Sequence, residues 1–122
     1  MGVMDALEKT EVTQVLDQHG WSFLGDFGDD AMVVQPPSGP AVQLGLHWDE
    51  SQNVGHIELS RPWSGDEIQM VALRNRCPSL LIDWQLEHLI CAAVLEQPAD
   101  LDHCVANLVV LNAMIQASIE LQ

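Results

Sequence analysis

His56-Ile57-Glu58 is an H-x-E triplet, the pattern that supplies a metal ligand and a proton-shuttling glutamate in zinc deaminases. That chemistry also needs P-C-x-x-C, whereas here Cys77 precedes Pro78 and no cysteine follows three residues later. His56 and Glu58 therefore read as solvent-facing strand residues. Cys77, His88, Cys91, His103 and Cys104 are zinc-compatible types, but none forms the tight C-x₂₋₄-C knuckle that gathers ligands at low entropic cost. On a strand, His88 and Cys91 would point to opposite faces. No metal is expected, and Cys91 and Cys104 fit better as small buried apolar side chains. Cys77 follows Arg76, which could favour a thiolate, yet a partly covered helix end explains the position more simply. There is no G-x-S-x-G elbow. Gly25-Asp26-Phe27-Gly28 lacks the third glycine and the acceptor helix of a phosphate loop, and Asp26, Asp29 and Asp30 would repel phosphate. Neither catalytic residues nor a cofactor are expected.

Four tryptophans against no tyrosine direct attention to contact surfaces, where tryptophan is enriched. Trp84 and Trp48 fall on the apolar sides of their runs, and Trp84 is expected in the core. Trp63 lies between Arg61-Pro62 and Ser64 with no periodic reason to be buried. Trp63, together with Trp48 and the outer side of the first helix, is the expected partner-binding patch.

The wider composition sets the frame for these residues. The chain has 122 residues, 48% of them apolar, and a formal charge of −14, enough for one soluble domain that folds without disulfide, metal or cofactor. Only Lys9, Arg61, Arg74 and Arg76 are basic. Phosphate backbones and anionic headgroups are held by clustered cations, so neither nucleic acid nor an acidic membrane is an expected partner. An odd count of three cysteines suits a reducing compartment, and the cytoplasm is the expected location. The first residues lack the apolar core of a secretory signal, and Ala6 stands where myristoylation prefers Ser or Thr. Leu89 to Leu95 and Leu108 to Leu111 are far shorter than the roughly 20 apolar residues that span a bilayer.

From Val3 to about His19, Met4, Leu7, Val12, Val15 and Leu16 share one side of a helical wheel, and Gly20 ends the helix. Period-two runs follow at Trp21 to Phe27, Ala31 to Val34, Ala41 to Trp48 and Gly55 to Leu59, separated by turn-forming links, as in an antiparallel meander. Val42, Leu44, Leu46 and Trp48 take one face of the third run; in the fourth, Ile57 and Leu59 oppose His56, Glu58 and Ser60. Ser64-Gly65-Asp66-Glu67 reads as a capping box opening a short helix that carries Ile68, Val71 and Leu73 and ends at Arg74 and Arg76 before Pro78. Leu80 to Gln97 is helix-compatible in composition, but Ile82, Trp84 and Leu86 alternate strictly with Asp83, Gln85 and Glu87. That period predicts two strands turning near Glu87-His88. Asp100 is then placed to cap a last helix striped by Cys104, Leu108, Leu111, Ile115 and Ile119. The expected fold is one α+β domain over residues 1–122, an antiparallel sheet with helices on one face in the order α-β-β-β-β-α-β-β-α.

In this layout the chain resembles the class I type III secretion chaperones and the YbjN-like domains. The likeness is carried best by Val71 to Leu95, where a short helix ending Arg74-Asn75-Arg76-Cys77-Pro78 leads into Ser79-Leu80-Leu81-Ile82-Asp83-Trp84 and an apolar return strand. Pro98-Ala99-Asp100-Leu101 opening the final helix is similar too. The hairpin departs from the family pattern, with Leu86-Glu87-His88 in place of Gly or Asn-Gly, and residues 20 to 40 hold extra glycine and proline. The resemblance implies a non-enzymatic protein, homodimeric in its usual form, that holds an extended segment or a subunit of another polypeptide. A secretion chaperone and an assembly factor are both compatible with it. The alternative is a small ligand sensor or enzyme with a pocket between sheet and helices, for which His47, His56 and Glu58 are the candidate polar groups. A structural subunit that dimerises through the final helix is a third option.

Overall fold

The computed structural model describes residues 7–120. Its elements are α1 (Lys9–Gln18), β1 (Ser22–Asp26), β2 (Ala31–Gln35), β3 (Val42–Asp49), β4 (Val54–Pro62), α2 (Glu67–Arg76), β5 (Leu80–Gln85), β6 (His88–Leu95) and α3 (Leu101–Glu120). A 3-10 turn, Pro98–Asp100, leads directly into α3. The order matches the periodicity, and all pairings are antiparallel in one open sheet, β1-β2-β3-β4-β6-β5.

The register explains the two faces. Met32, Leu44, Leu59, Cys91 and Ile82 form one row across five strands, on the side covered by the helices. The adjoining row, Val33, Gln43, Ser60, Ile90 and Asp83, necessarily points to the other side, because successive residues alternate. α3 lies against β4 and β6, and α1 packs on α3 and β1. Cys104, Leu108, Leu111 and Ile115 are buried along the expected stripe of α3, and Val105 joins them. Ile119 lies outside the described side chains.

Several local expectations shift. The first helix starts at Lys9, with Leu7 and Glu8 in the turn before it; Val3 and Met4 lie outside the described residues. Gly20, at φ +80°, closes it as expected. The second helix begins two residues later than Ser64. Asp66 is its cap: its carboxylate accepts from the Gln69 amide at 2.8 Å, while the Gln69 side chain accepts from the Asp66 amide at 3.0 Å. With the start moved, the inward face of α2 is Met70 and Leu73, and Ile68 and Val71 stand in solvent. The β5–β6 hairpin turns at Leu86-Glu87, both with positive φ (50° and 62°), one residue earlier than expected. Two adjacent left-handed residues are the signature of a two-residue hairpin turn whose twist matches its strands.

The core contains one cation. Arg61, inward on β4, is 3% exposed and donates from Nη1 to Asn112 Oδ1 of α3 at 2.7 Å. Its Nε lies 3.4 Å from the Pro62 carbonyl. Among the described residues no carboxylate pairs with it. Desolvation pulls its pKa down, against which the neighbouring Cys91 acts. Asn112→Leu removes the short acceptor and is expected to cost about 1–3 kcal/mol in urea unfolding. Adding Arg61→Met should recover most of that loss, since an apolar pair of similar volume needs no solvation. A double variant as weak as the single one would show that the guanidinium is hydrated.

Candidate functional site

Trp63, expected at the surface, is in the core at 5% exposure. Its ring meets Trp84 edge-on, with centroids 5.3 Å apart and planes at 65°. Its amide donates to Glu87 O at 2.9 Å, and Trp84 Nε1 approaches its carbonyl at 3.4 Å. Gly65 admits the indole, because a Cβ there would collide with its six-membered ring. The reason for the correction is the cap at Asp66: moving the helix start leaves Trp63-Ser64-Gly65 to fold the indole inward. Trp48 is half-buried against the core and Trp84 likewise, so the four tryptophans build no exposed patch.

The polar groups of the ligand-binding alternative are also relocated. His47 and His56 are direct partners across β3 and β4, with ring centroids 6.1 Å apart, and Glu58 opposes Gly45. All three lie on the face that no helix covers; His47 also borders a cleft of about 560 Å³ beside Lys9 and Thr10 at the start of α1, and His47 and Glu58 border a second one of about 330 Å³ on the open face of the sheet. Near them, Asp49 is held below its ordinary value chiefly by the hydrogen bond from Ser51. Among the described residues no three His, Cys, Asp or Glu side chains gather to hold a metal.

The thiols are inward and unpaired. Burial pushes the Cys77 thiol up, with Arg76 only partly opposing it, so a neighbouring cation does not make this a reactive cysteine. Cys104 is raised for the same reason, with Asp100 and Glu96 adding to it.

What stands out instead is β1. It is an edge strand, and among the described residues no strand pairs with its outer side. Phe23, Leu24 and Phe27 are 44%, 56% and 59% exposed along it and at its end. Phe23 pairs with Val34 and Asp26 with Met32, two buried residues, so both face the helix layer. There, a groove of about 710 Å³ runs between α1 and β1, with Thr10, Thr13 and Gln14 on one wall and Trp21 and Phe23 on the other. Lys9 latches one end, donating to Asp26 Oδ1 at 2.9 Å and to Gly28 O at 2.8 Å. The run Trp21 to Phe27 carried a sign of this, since Leu24 interrupts an apolar series at 21, 23 and 27 and coincides with a bulge between Phe23 and Gly25. At the opposite edge one carbonyl is taken: Arg74 Nη2 of α2 donates to Ile82 O of β5 at 3.0 Å, and Leu81 of that strand is exposed.

Two measurements check this placement. Trp63→Ala is expected to cost about 3–5 kcal/mol of stability, as for any large buried aromatic; a loss below about 0.5 kcal/mol would return it to the surface. The Cys91 thiol is pushed from 9.0 to about 12, mainly by burial, then by Cys77, with Arg61 opposing. Above pH 9.0 the unfolded chain releases a proton that the folded chain keeps, so this contribution is whole below 9.0 and is lost towards 12. Unfolding midpoints should fall along that alkaline range, and Cys91→Ala should flatten the fall; an unchanged slope would mean that the thiol is solvated. Among known proteins, no family model, no curated protein and no solved structure matches the chain.

Proposed function

We propose that this protein is a non-enzymatic chaperone or adaptor that holds a partner polypeptide, as a secretion chaperone or as an assembly factor for a larger complex. The observation that carries the reading is the β1 edge, whose outer side has no strand partner among the described residues and which is flanked by exposed Phe23, Leu24 and Phe27 and a groove. Strand edges recognise extended segments through main-chain hydrogen bonds, with specificity added by pockets for alternate side chains. Apolar side chains clustered at such an edge are an aggregation hazard unless something covers them.

Cytoplasmic location and a homodimer belong to the same proposal. Three buried, unpaired thiols support a reducing compartment. For the dimer, charge points to α2. Lys9 is ion-paired and Arg61 is buried, which leaves Arg74 and Arg76 beside exposed Ile68 and Val71 as the least acidic apolar surface on a chain of charge −14. Two strongly acidic copies meet at lowest electrostatic cost there.

The small-ligand reading is favoured by two clefts: that bordered by His47 at the start of α1, and an apolar one of about 200 Å³ between Pro36-Pro37 and α3, bordered by Trp21, Val109 and Asn112. Gln116 Oε1, at the same place, is buried without a hydrogen-bond partner.

Tagged protein purified from its host under reducing conditions, and analysed by native and peptide mass spectrometry, separates these readings. A stoichiometric polypeptide is expected, lost when Phe23→Ser and Leu24→Ser are combined and retained by Leu86→Ser at the opposite hairpin. The carrier species should have the mass of a dimer. Recovery of the chain alone, or with a bound metabolite, would overturn the polypeptide reading, and a partner indifferent to Phe23 and Leu24 would overturn its site.

A further inference from the structure

The chemistry of the segment held at β1 follows from what surrounds that edge. Asp17 stands exposed at the end of α1 beside the start of the strand, and Asp29 and Asp30 are exposed in the turn after it. Asp17 borders the groove directly. The cation nearest by, Lys9, is engaged by Asp26 and the Gly28 carbonyl. Both ends of the apolar edge are therefore acidic, with no free cation in the groove lining to balance them.

We propose that the segment held by β1 is cationic: an extended stretch with alternating apolar side chains, flanked at both ends by Lys or Arg. This rests on the polypeptide-holding reading and names the partner's chemistry. β1 has five residues, about 17 Å at roughly 3.4 Å per residue, so the flanking cations are about five residues apart. Apolar side chains on the helix side enter the groove beside Phe23, and the cations meet Asp17 at one end and Asp29-Asp30 at the other. A second copy of this chain is the wrong occupant. Antiparallel pairing of two β1 strands would bring Asp17 of each copy towards Asp29 and Asp30 of the other, on chains that each carry −14.

The test uses the full chain and three fluorescent peptides, read by anisotropy: a Val-Thr-Val-Thr-Val core flanked by Arg, the same core flanked by Gln, and the Arg-flanked peptide with proline at its centre. Proline cannot complete a strand ladder. The Arg-flanked peptide is expected to bind several-fold more tightly than the Gln-flanked one at low salt, with the difference collapsing as salt screens the exposed charges. Asp29→Asn with Asp30→Asn should narrow it by roughly two- to fivefold, the range of one exposed ion pair, with an unchanged melting curve. The proline peptide should not bind. Equal affinity of the Arg and Gln peptides at every salt concentration overturns the cationic inference, and the edge reading survives it if proline and Phe23→Ser still abolish binding. Failure of all three peptides, or binding indifferent to proline and to Phe23→Ser, overturns the edge reading itself.

Discussion

One side of the sheet has to be kept from water, and the rest of the structure follows from that. Six strands offer two faces, and three helices cover one of them. The alternation in β3, β4 and β6 turns Leu44, Leu46, Ile57, Leu59, Leu89, Cys91 and Leu95 to a single side, where Val105, Leu108, Leu111 and Ile115 of α3 meet them. Burial at about 25 cal/mol per Å² makes that side the dominant favourable term. Arg61 is the cost of continuing β4 beneath α3. The same two-residue period that buries Ile57 and Leu59 carries position 61 inward, and Asn112 is the group that α3 supplies to receive it. A directional bond at this point ties the axial position of α3 to β4 more narrowly than Leu and Ile contacts alone, which tolerate sliding.

A single-layer helix cover leaves two sheet edges, and the chain treats them differently. At β5 the Arg74 guanidinium occupies a carbonyl that an added strand would need, while α2 brings that arginine into reach. At β1 there is a bulge, a common edge defence, yet the apolar side chains beside it remain outside. Sequestering a scarce cation at one edge while acids crowd the other makes the two ends electrostatically unlike. With four basic residues, two of them already committed to Asp26 and to Asn112, this chain has little means of neutralising both.

How far the sequence discloses this depends on the range of the interaction involved. Strand and helix order was legible because period two and period 3.6 are local and long enough to count, even in Leu80 to Gln97, where strict alternation of Ile82 and Trp84 with Asp83 and Gln85 outweighed helix-forming composition. The hairpin position was off by one, because Leu86-Glu87 adopts positive φ without the glycine or asparagine that ordinarily marks it. The cap was misplaced because Ser64-x-x-Glu67 and Asp66-x-x-Gln69 are both formally boxes, two residues apart. The site was least legible. Exposure of Phe23 depends on which strand ends at the edge, and strand order within a sheet is a long-range property that no local period reports.

The misplacement of Trp63 bears on where the proposed partner segment would bind. Its indole, the Trp84 ring, the Glu87 carbonyl and the bare Cα of Gly65 lock the β4–α2 link onto the β5–β6 hairpin. An aromatic pair in that geometry adds specific packing beyond its buried area, so this end of the sheet is stiffened in the same step that removes its largest aromatic surface from solvent. The other end is held by the β1–β2 ladder, by α1 packed on β1 and by Lys9, which donates to Asp26 and to the Gly28 carbonyl, while the outer side of β1 is left open. An open ladder and exposed aromatic side chains thus coincide at β1. Trp63 and Trp84 mark the fastened end of the sheet, and the two phenylalanines mark the open edge.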